Sequence, residues 1–233
     1  MRIGGLQKMT LLDYPGKVAC TVFLSGCNFR CPFCHNSGLL EGEQTLLPRQ
    51  ELMAFLEKRR GILDGVCITG GEPTLQPELP ALLGEIKAMG FAVKLDTNGY
   101  RPEVLETLLN QKLLDYVAMD IKNSPQRYSE TAGTEIAIDR IESSIRLLLQ
   151  GSVDYEFRTT VAVPLHHEQS VSQMGQWVSG LASGQKAKAW YIQPFVQRDS
   201  VLQPGLQAPA GEELAAFQGI LSPFAKKVEI RGI

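Results

Sequence analysis

Three cysteines crowd one short stretch, Gly26-Cys27-Asn28-Phe29-Arg30-Cys31-Pro32-Phe33-Cys34-His35-Asn36, with the spacing C-x3-C-x2-C. The stretch follows a run that alternates like a strand, Val18 to Ser25, so the thiols sit in a loop just past a strand's carboxyl end. Thiolates hold iron–sulfur clusters, and a cubane ligated wholly by protein takes four of them. Three thiols leave one iron open to something other than cysteine, and an open position on a metal points to chemistry rather than structure. A structural zinc site using the same thiols and His35 is a second reading, although adjacent Cys34 and His35 reach one tetrahedral centre with difficulty. Disulfides are a third, but three thiols cannot pair off among themselves and nothing marks an oxidising compartment.

Other chemistry must be brought to that loop by the rest of the chain, so the elements matter next. Helical patterns are expected over Pro48–Arg60, Leu79–Met89, Pro102–Leu109, Ile138–Gln150, Ser170–Leu181 and Gly211–Leu221. Strand patterns follow Val18–Ser25 at Gly65–Thr69, Phe91–Asp96, Asp115–Ile121, Tyr155–Val163, Ala187–Gln193 and Val228–Arg231. Gly90 stands where a helix C′ glycine belongs, and Lys58-Arg59-Arg60 closes the first helix with cations that suit its dipole. Strands and helices alternating in this way predict an α/β fold with a parallel sheet and right-handed crossovers, curved into a partly open barrel. Residues 1–233 read as one domain: 1–17 an approach segment, 18–195 the barrel core, and 196–233 a loop, a helix and a short strand.

In parallel α/β architectures ligands bind beyond the carboxyl ends of the strands. The first strand leads to the three thiols, the second to Gly70-Gly71-Glu72, the third to Asp96-Thr97-Asn98 and the fourth to Asp120 and Lys122. Arg158 lies within the fifth, and the sixth ends at Gln193-Pro194. Each group also has a plain reading. Paired glycines often only make a turn; Asp96 could cap the next helix. Asp120 and Lys122 share a strand face and could be a structural salt bridge. A guanidinium inside a barrel calls for a carboxylate, and Arg158 could find it on a ligand, on Glu156 or on Glu72. Cys20 and Cys67 fall in apolar strand patterns and are expected to be core thiols; His166 and His167, in a loop after Pro164, are expected at the surface.

With Phe33 as its aromatic, the pattern C-x3-C-x-aromatic-C resembles the signature of the radical S-adenosylmethionine (SAM) superfamily. Ser25 through Asn36 is similar in particular to the activating enzymes of glycyl radical enzymes, most of all that of anaerobic ribonucleoside-triphosphate reductase, with that of pyruvate formate-lyase close behind. The resemblance runs from about Leu11 to the chain's end. It implies a partial (β/α)6 barrel of the radical SAM type, with outer helices around a parallel curved sheet. It implies an oxidoreductase in which a [4Fe-4S] cluster on Cys27, Cys31 and Cys34 cleaves SAM to a 5′-deoxyadenosyl radical, which makes a glycyl radical on a partner enzyme. Phe33 and His35 would border the cofactors. Gly70, Gly71 and Glu72 resemble the segment that contacts the amino group of SAM. Asp96 of Asp96-Thr97-Asn98-Gly99, with Asp120, would hold a monovalent cation near the SAM carboxylate. Lys122, in a D-x-K segment, would touch SAM and serve catalysis, and Arg158 is a further SAM contact. Pro194-Phe195-Val196 departs from the Pro-Phe-His of the formate-lyase activases, which favours the reductase branch.

Bulk properties bound these expectations. Net charge is −2 with a sequence pI near 6.0, so no basic field calls for nucleic acid. No stretch approaches a membrane span, and the first residues lack the apolar core of a signal peptide. A cytoplasmic enzyme served by a low-potential donor such as flavodoxin is the expectation. Two rivals remain: the same radical chemistry on a formate-lyase-type partner, a small molecule or a peptide, and a non-catalytic iron–sulfur electron-transfer protein.

Overall fold

The computed structural model describes residues 1–40, 45–151 and 153–232. They form two compact units, one of Met1–Asn28 with Asn36–Ala118, the other of Phe29–His35 with Met119–Ile233. Each is α/β, as the alternating patterns predict.

In the first unit, β2 (Ala19–Leu24), β3 (Gly65–Gly70) and β4 (Ala92–Thr97) pair in parallel, in chain order. The crossovers hold α1 (Arg49–Glu57) and α2 (Leu79–Ala88), and α3 (Pro102–Asn110) follows β4. Helix α2 buries Leu79, Leu82, Leu83 and Ile86, the i, i+3, i+4, i+7 stripe of an amphipathic helix. Each such side chain, fully withdrawn from water, contributes about 1.5–3 kcal/mol. Gly90 then adopts φ +92, the left-handed conformation that ends a helix without a Cβ penalty. Helix α1 stops at Glu57, short of the expected Arg60, with Lys58 at its C-cap and no basic residue in its last turn, so the basic run follows the helix rather than closing it. The approach segment is itself a strand, β1 (Ile3–Thr10), antiparallel to β2. The core thiols expected at Cys20 and Cys67 are fully buried; burial pushes the Cys20 thiol up to about 12.

Strand β5 (Tyr116–Asp120) carries the chain from one unit to the other. At its start Asp115 donates its N–H to Val93 of β4, and just past its end Ile121 donates to Arg158 of the second unit. There β6 (Asp154–Val161), β7 (Trp190–Pro194) and β8 (Val228–Ile230) pair in parallel. The helices are α4 (Tyr128–Ala132), α5 (Ile138–Gln150), α6 (Glu168–Leu181) and α7 (Gly211–Leu221). Helix α5 buries Ile141, Ser144, Ile145 and Leu148 on one stripe. Trp190 is wholly buried edge-on to Phe157, its indole N–H satisfied by Thr159 Oγ1 at 2.9 Å. Glu156, equally buried, meets Arg231, just past β8, with two hydrogen bonds of 2.7 and 2.9 Å.

Candidate functional site

The strand register of the first unit decides what stands beside Cys27. Leu24, the last residue of β2, lies opposite Gly70, the last of β3, so the turn Ser25-Gly26-Cys27 and the turn Gly70-Gly71-Glu72 leave the sheet together. Gly71 donates to Leu24 O and Glu72 to Gly26 O, both at 2.8 Å. A Cβ on Gly71 would fall 2.1 Å from Gly26 O and 3.3 Å from Cys27 Cβ. Gly70, at φ +121, would put one 2.3 Å from Leu24 O. The paired glycines are thus required by the backbone of the first cysteine's own turn.

Glu72 is 1% exposed, and both its oxygens are occupied. Oε1 accepts from Thr74 N at 3.0 Å, from Thr74 Oγ1 and from Thr97 Oγ1 at 2.8 Å, and Oε2 accepts from Asn98 N at 2.7 Å. Burial raises its pKa, and these four donors oppose the rise. The carboxylate binds the end of β3 to the end of β4. Asn98 continues the connection: Tyr100 N donates to its Oδ1 at 3.0 Å, and its Nδ2 donates to Asn28 Oδ1 at 2.9 Å. Asp96, expected to face a ligand or a cation, receives the ammonium of Lys94, which is buried two residues earlier on the same strand face and also lies 3.9 Å from Cys67 Sγ.

The second unit holds the rest of the cysteine loop. Cys34 donates its N–H to Cys31 O at 3.0 Å, a turn between the two thiols. Arg30 donates to Ala132 O at 2.8 Å, the last residue of α4, and a Cβ on Gly133 would strike Arg30 O at 2.0 Å. On the other side, residues 195–203 strap the loop. His35 Nε2 meets Val196 O at 2.7 Å and its ring lies against Phe195. Ser200 Oγ donates to His35 O at 2.8 Å, and Gln203 N to Pro32 O at 3.0 Å. With Nε2 on Val196 O, His35 ties the cysteine loop to the strap. Among the described residues no group of three or more His, Cys, Asp or Glu is gathered as a single metal ion requires.

Asp120, Lys122 and Arg158 come together. Lys122 Nζ is 2.9 Å from Asp120 Oδ2, and Arg158 Nε is 3.1 Å from Asp120 Oδ1. Asp120 thus answers two cations at once. Lys122 also lies 5.8 Å over the ring of Phe33. Burial works against its ammonium, but Asp120 and Cys31 outweigh that and raise its pKa. Burial raises the pKa of Cys31, and the field of Lys122 opposes the rise, favouring thiolate. On balance the Cys31 pKa stays raised, and Lys122 is the charge that moderates the cost of a thiolate there.

The expectation that His166 lies at the surface is wrong: it is 3% exposed. Its Nε2 meets Lys122 O at 2.8 Å and its Nδ1 accepts from Ala162 N at 3.2 Å, which assigns the neutral Nε2–H tautomer. The ring lies near Phe33. Burial, the largest influence, lowers its pKa to about 4. His167 instead caps α6, accepting from Ser170 N. A histidine two residues past a proline carries no sequence signal of burial; its main partner is a carbonyl 44 residues away.

Comparison with known proteins shows the family. Residues 21–178 match the family model of the Radical SAM superfamily. A Methanocaldococcus jannaschii protein whose name assigns it as a glycyl-radical enzyme activating enzyme is 31% identical over 99% of this chain and 96% of its own length. The pyruvate formate-lyase-activating enzyme of Clostridium pasteurianum is 36% identical over 52% of each chain. Among solved structures, a domain of pyruvate-formate lyase-activating enzyme from Bacteroides vulgatus shares the fold at 20% identity. Its TM-score is 0.58, over 72% of this chain and 99% of that one.

Proposed function

The chain belongs to the radical SAM superfamily, among its glycyl-radical enzyme activating enzymes, and on that premise we propose that it installs the glycyl radical of an anaerobic ribonucleoside-triphosphate reductase. The observation that carries this reading is the C-x3-C-x2-C loop in a chain similar from end to end to one activating enzyme. In it residues 1–233 act as one radical SAM domain, and Cys27, Cys31 and Cys34 hold a [4Fe-4S] cluster with one iron left for SAM. When bound, the reduced cluster and SAM supply a 5′-deoxyadenosyl radical able to take hydrogen from a glycine Cα.

This chain's own residues position and balance those groups. Lys122 and Arg158, both paired with Asp120, are the cations that would face the thiolates and the SAM carboxylate. Phe33, itself buried, lies near both the Lys122 ammonium and the His166 ring. Gly70 and Gly71 bring main chain close to Cys27, where the ammonium of SAM would meet backbone oxygens. Glu72, its oxygens committed to Thr74, Thr97 and Asn98, keeps that turn in place. Asp96 has Lys94 as its cation, so a monovalent cation would have to displace a buried ammonium; we assign none. His35 supports the strap of residues 195–203. A reducing cytoplasm and a low-potential donor such as flavodoxin complete the reading.

The test is anaerobic. Protein reconstituted with iron and sulfide, reduced with dithionite and given SAM should form 5′-deoxyadenosine, and Cys31→Ala should not. Addition of the reductase should then give a glycyl radical signal by electron paramagnetic resonance. No 5′-deoxyadenosine from cluster-loaded protein, alone or with the reductase, would overturn the activity. A radical on pyruvate formate-lyase but not on the reductase would overturn the partner.

A further inference from the structure

The side chain of Asn28 is held by one end only. Its Nδ2 is buried and has no hydrogen-bond partner among the described residues, while its Oδ1 accepts from Asn98 Nδ2 at 2.9 Å. Which end is oxygen follows from the network. Asn98 Oδ1 must be an acceptor, because Tyr100 N donates to it at 3.0 Å; the other end of Asn98 is therefore its amino group. That amino group needs an acceptor, so Asn28 turns its own oxygen toward Asn98 and its amino group away. Asn98 is fixed in turn through its backbone N–H, held 2.7 Å from Glu72 Oε2. The chain of contacts from Glu72 through Asn98 sets the direction of a buried, unused donor.

Native interiors seldom leave a buried amide unanswered, because the lost hydrogen bonds to water are not recovered. An orphaned donor of this kind calls for an acceptor that arrives later. Asn28 follows Cys27 directly in the chain, and a cluster ligated by three thiolates is an anionic array of sulfur. Hydrogen bonds to cluster and thiolate sulfur stabilise the reduced state and raise the reduction potential. We propose that the side-chain amide of Asn28 donates a hydrogen bond to sulfur at the Cys27 side of the cluster and so sets its reduction potential, with Glu72 and Asn98 as the residues that position the amide. This rests on the reading of Cys27 as a cluster ligand.

The test is a redox titration of the reconstituted protein without SAM, followed by the electron paramagnetic resonance of the reduced cluster. Asn28→Leu keeps the shape of the side chain and removes the donor. It is expected to make reduction less favourable by about tenfold, a fall of about 59 mV for one electron. Asn28→Asp, which can still accept from Asn98 but brings a charge in place of a donor, should fall further. Protein that takes up no [4Fe-4S] cluster at all would defeat the underlying reading, whereas a loaded Asn28→Leu protein with an unmoved potential overturns this proposal alone. A potential unmoved while more SAM is needed for saturation would assign the donor to SAM, and equally overturns it. Should Asn28→Leu not retain iron, the unaltered protein decides. Labelled with ¹⁵N-asparagine and reduced, it should show an asparagine nitrogen coupled to the cluster in pulsed measurements, and absence of that coupling overturns the assignment.

Discussion

Replacing His166 by glutamine should flatten the acid limb of the protein's stability curve. The imidazole is buried between Lys122 O and Ala162 N and titrates near 4 in the folded protein against 6.5 as its ordinary value. A histidine whose folded pKa is depressed contributes fully above its unfolded value, and that contribution drains away as pH falls from 6.5 toward 4. At about pH 5 the unfolded chain holds a proton that the folded one refuses, and linkage makes the loss about 2 kcal/mol relative to about pH 7.5. Glutamine cannot take up that proton, and His35 and His167 are present in both proteins, so their contributions cancel. Urea unfolding of the cluster-free protein at the two pH values measures the difference directly. Unaltered protein should lose about 2 kcal/mol more than His166→Gln on acidification. Equal losses would refute the argument, because they would mean that His166 accepts its proton as readily folded as unfolded.

Gly71→Ala must move the turn before Cys27, since its Cβ would lie 2.1 Å from Gly26 O; a stability loss of about 2 kcal/mol or more and reduced iron uptake are expected, read by thermal unfolding and iron assay. Asp120→Asn removes the one acid shared by Lys122 and Arg158, and because Asp120 is 27% exposed the cost should be about 2 kcal/mol, below that of a fully buried pair. Cys31→Ala should abolish stable iron–sulfur loading, whereas Cys67→Ala, altering a thiol wholly inside the strand core, should leave the iron content intact.

The parts of the fold that were legible in the sequence are those with a sustained period. Helix α5 at Ile138–Gln150 and helix α7 at Gly211–Leu221 lie where their patterns predict, and the parallel strands differ from expectation only at their ends. Strand β1 was not legible because Ile3-Gly4-Gly5-Leu6 has two glycines and little alternation; its pairing with β2 makes it a strand. Helix α4, only Tyr128–Ala132, is too short to show a period. At the site, the acids and cations beyond the strand ends could be named, but their partners could not. Asp96 receives Lys94 from two residues away, Arg158 receives Asp120 from 38 away, and Glu72 is consumed by Thr97 and Asn98. Spacing identifies a face of a strand; it does not identify who stands opposite. Asn28 shows this most plainly, since nothing in Cys27-Asn28-Phe29 tells that one end of its amide is held by Asn98.

The strap across the cysteine loop also sets a timetable. Cys31 and Cys34 are made well before the strap: Pro32 O waits for Gln203, 171 residues later, and His35 waits for Val196 and Ser200. On a ribosome adding about 5–20 residues per second, that interval is roughly 10–30 s. Throughout it the two thiols exist without the loop geometry that will hold them, so the nascent chain depends on its surroundings to keep them reduced and unoccupied until residues 196–203 have been synthesised.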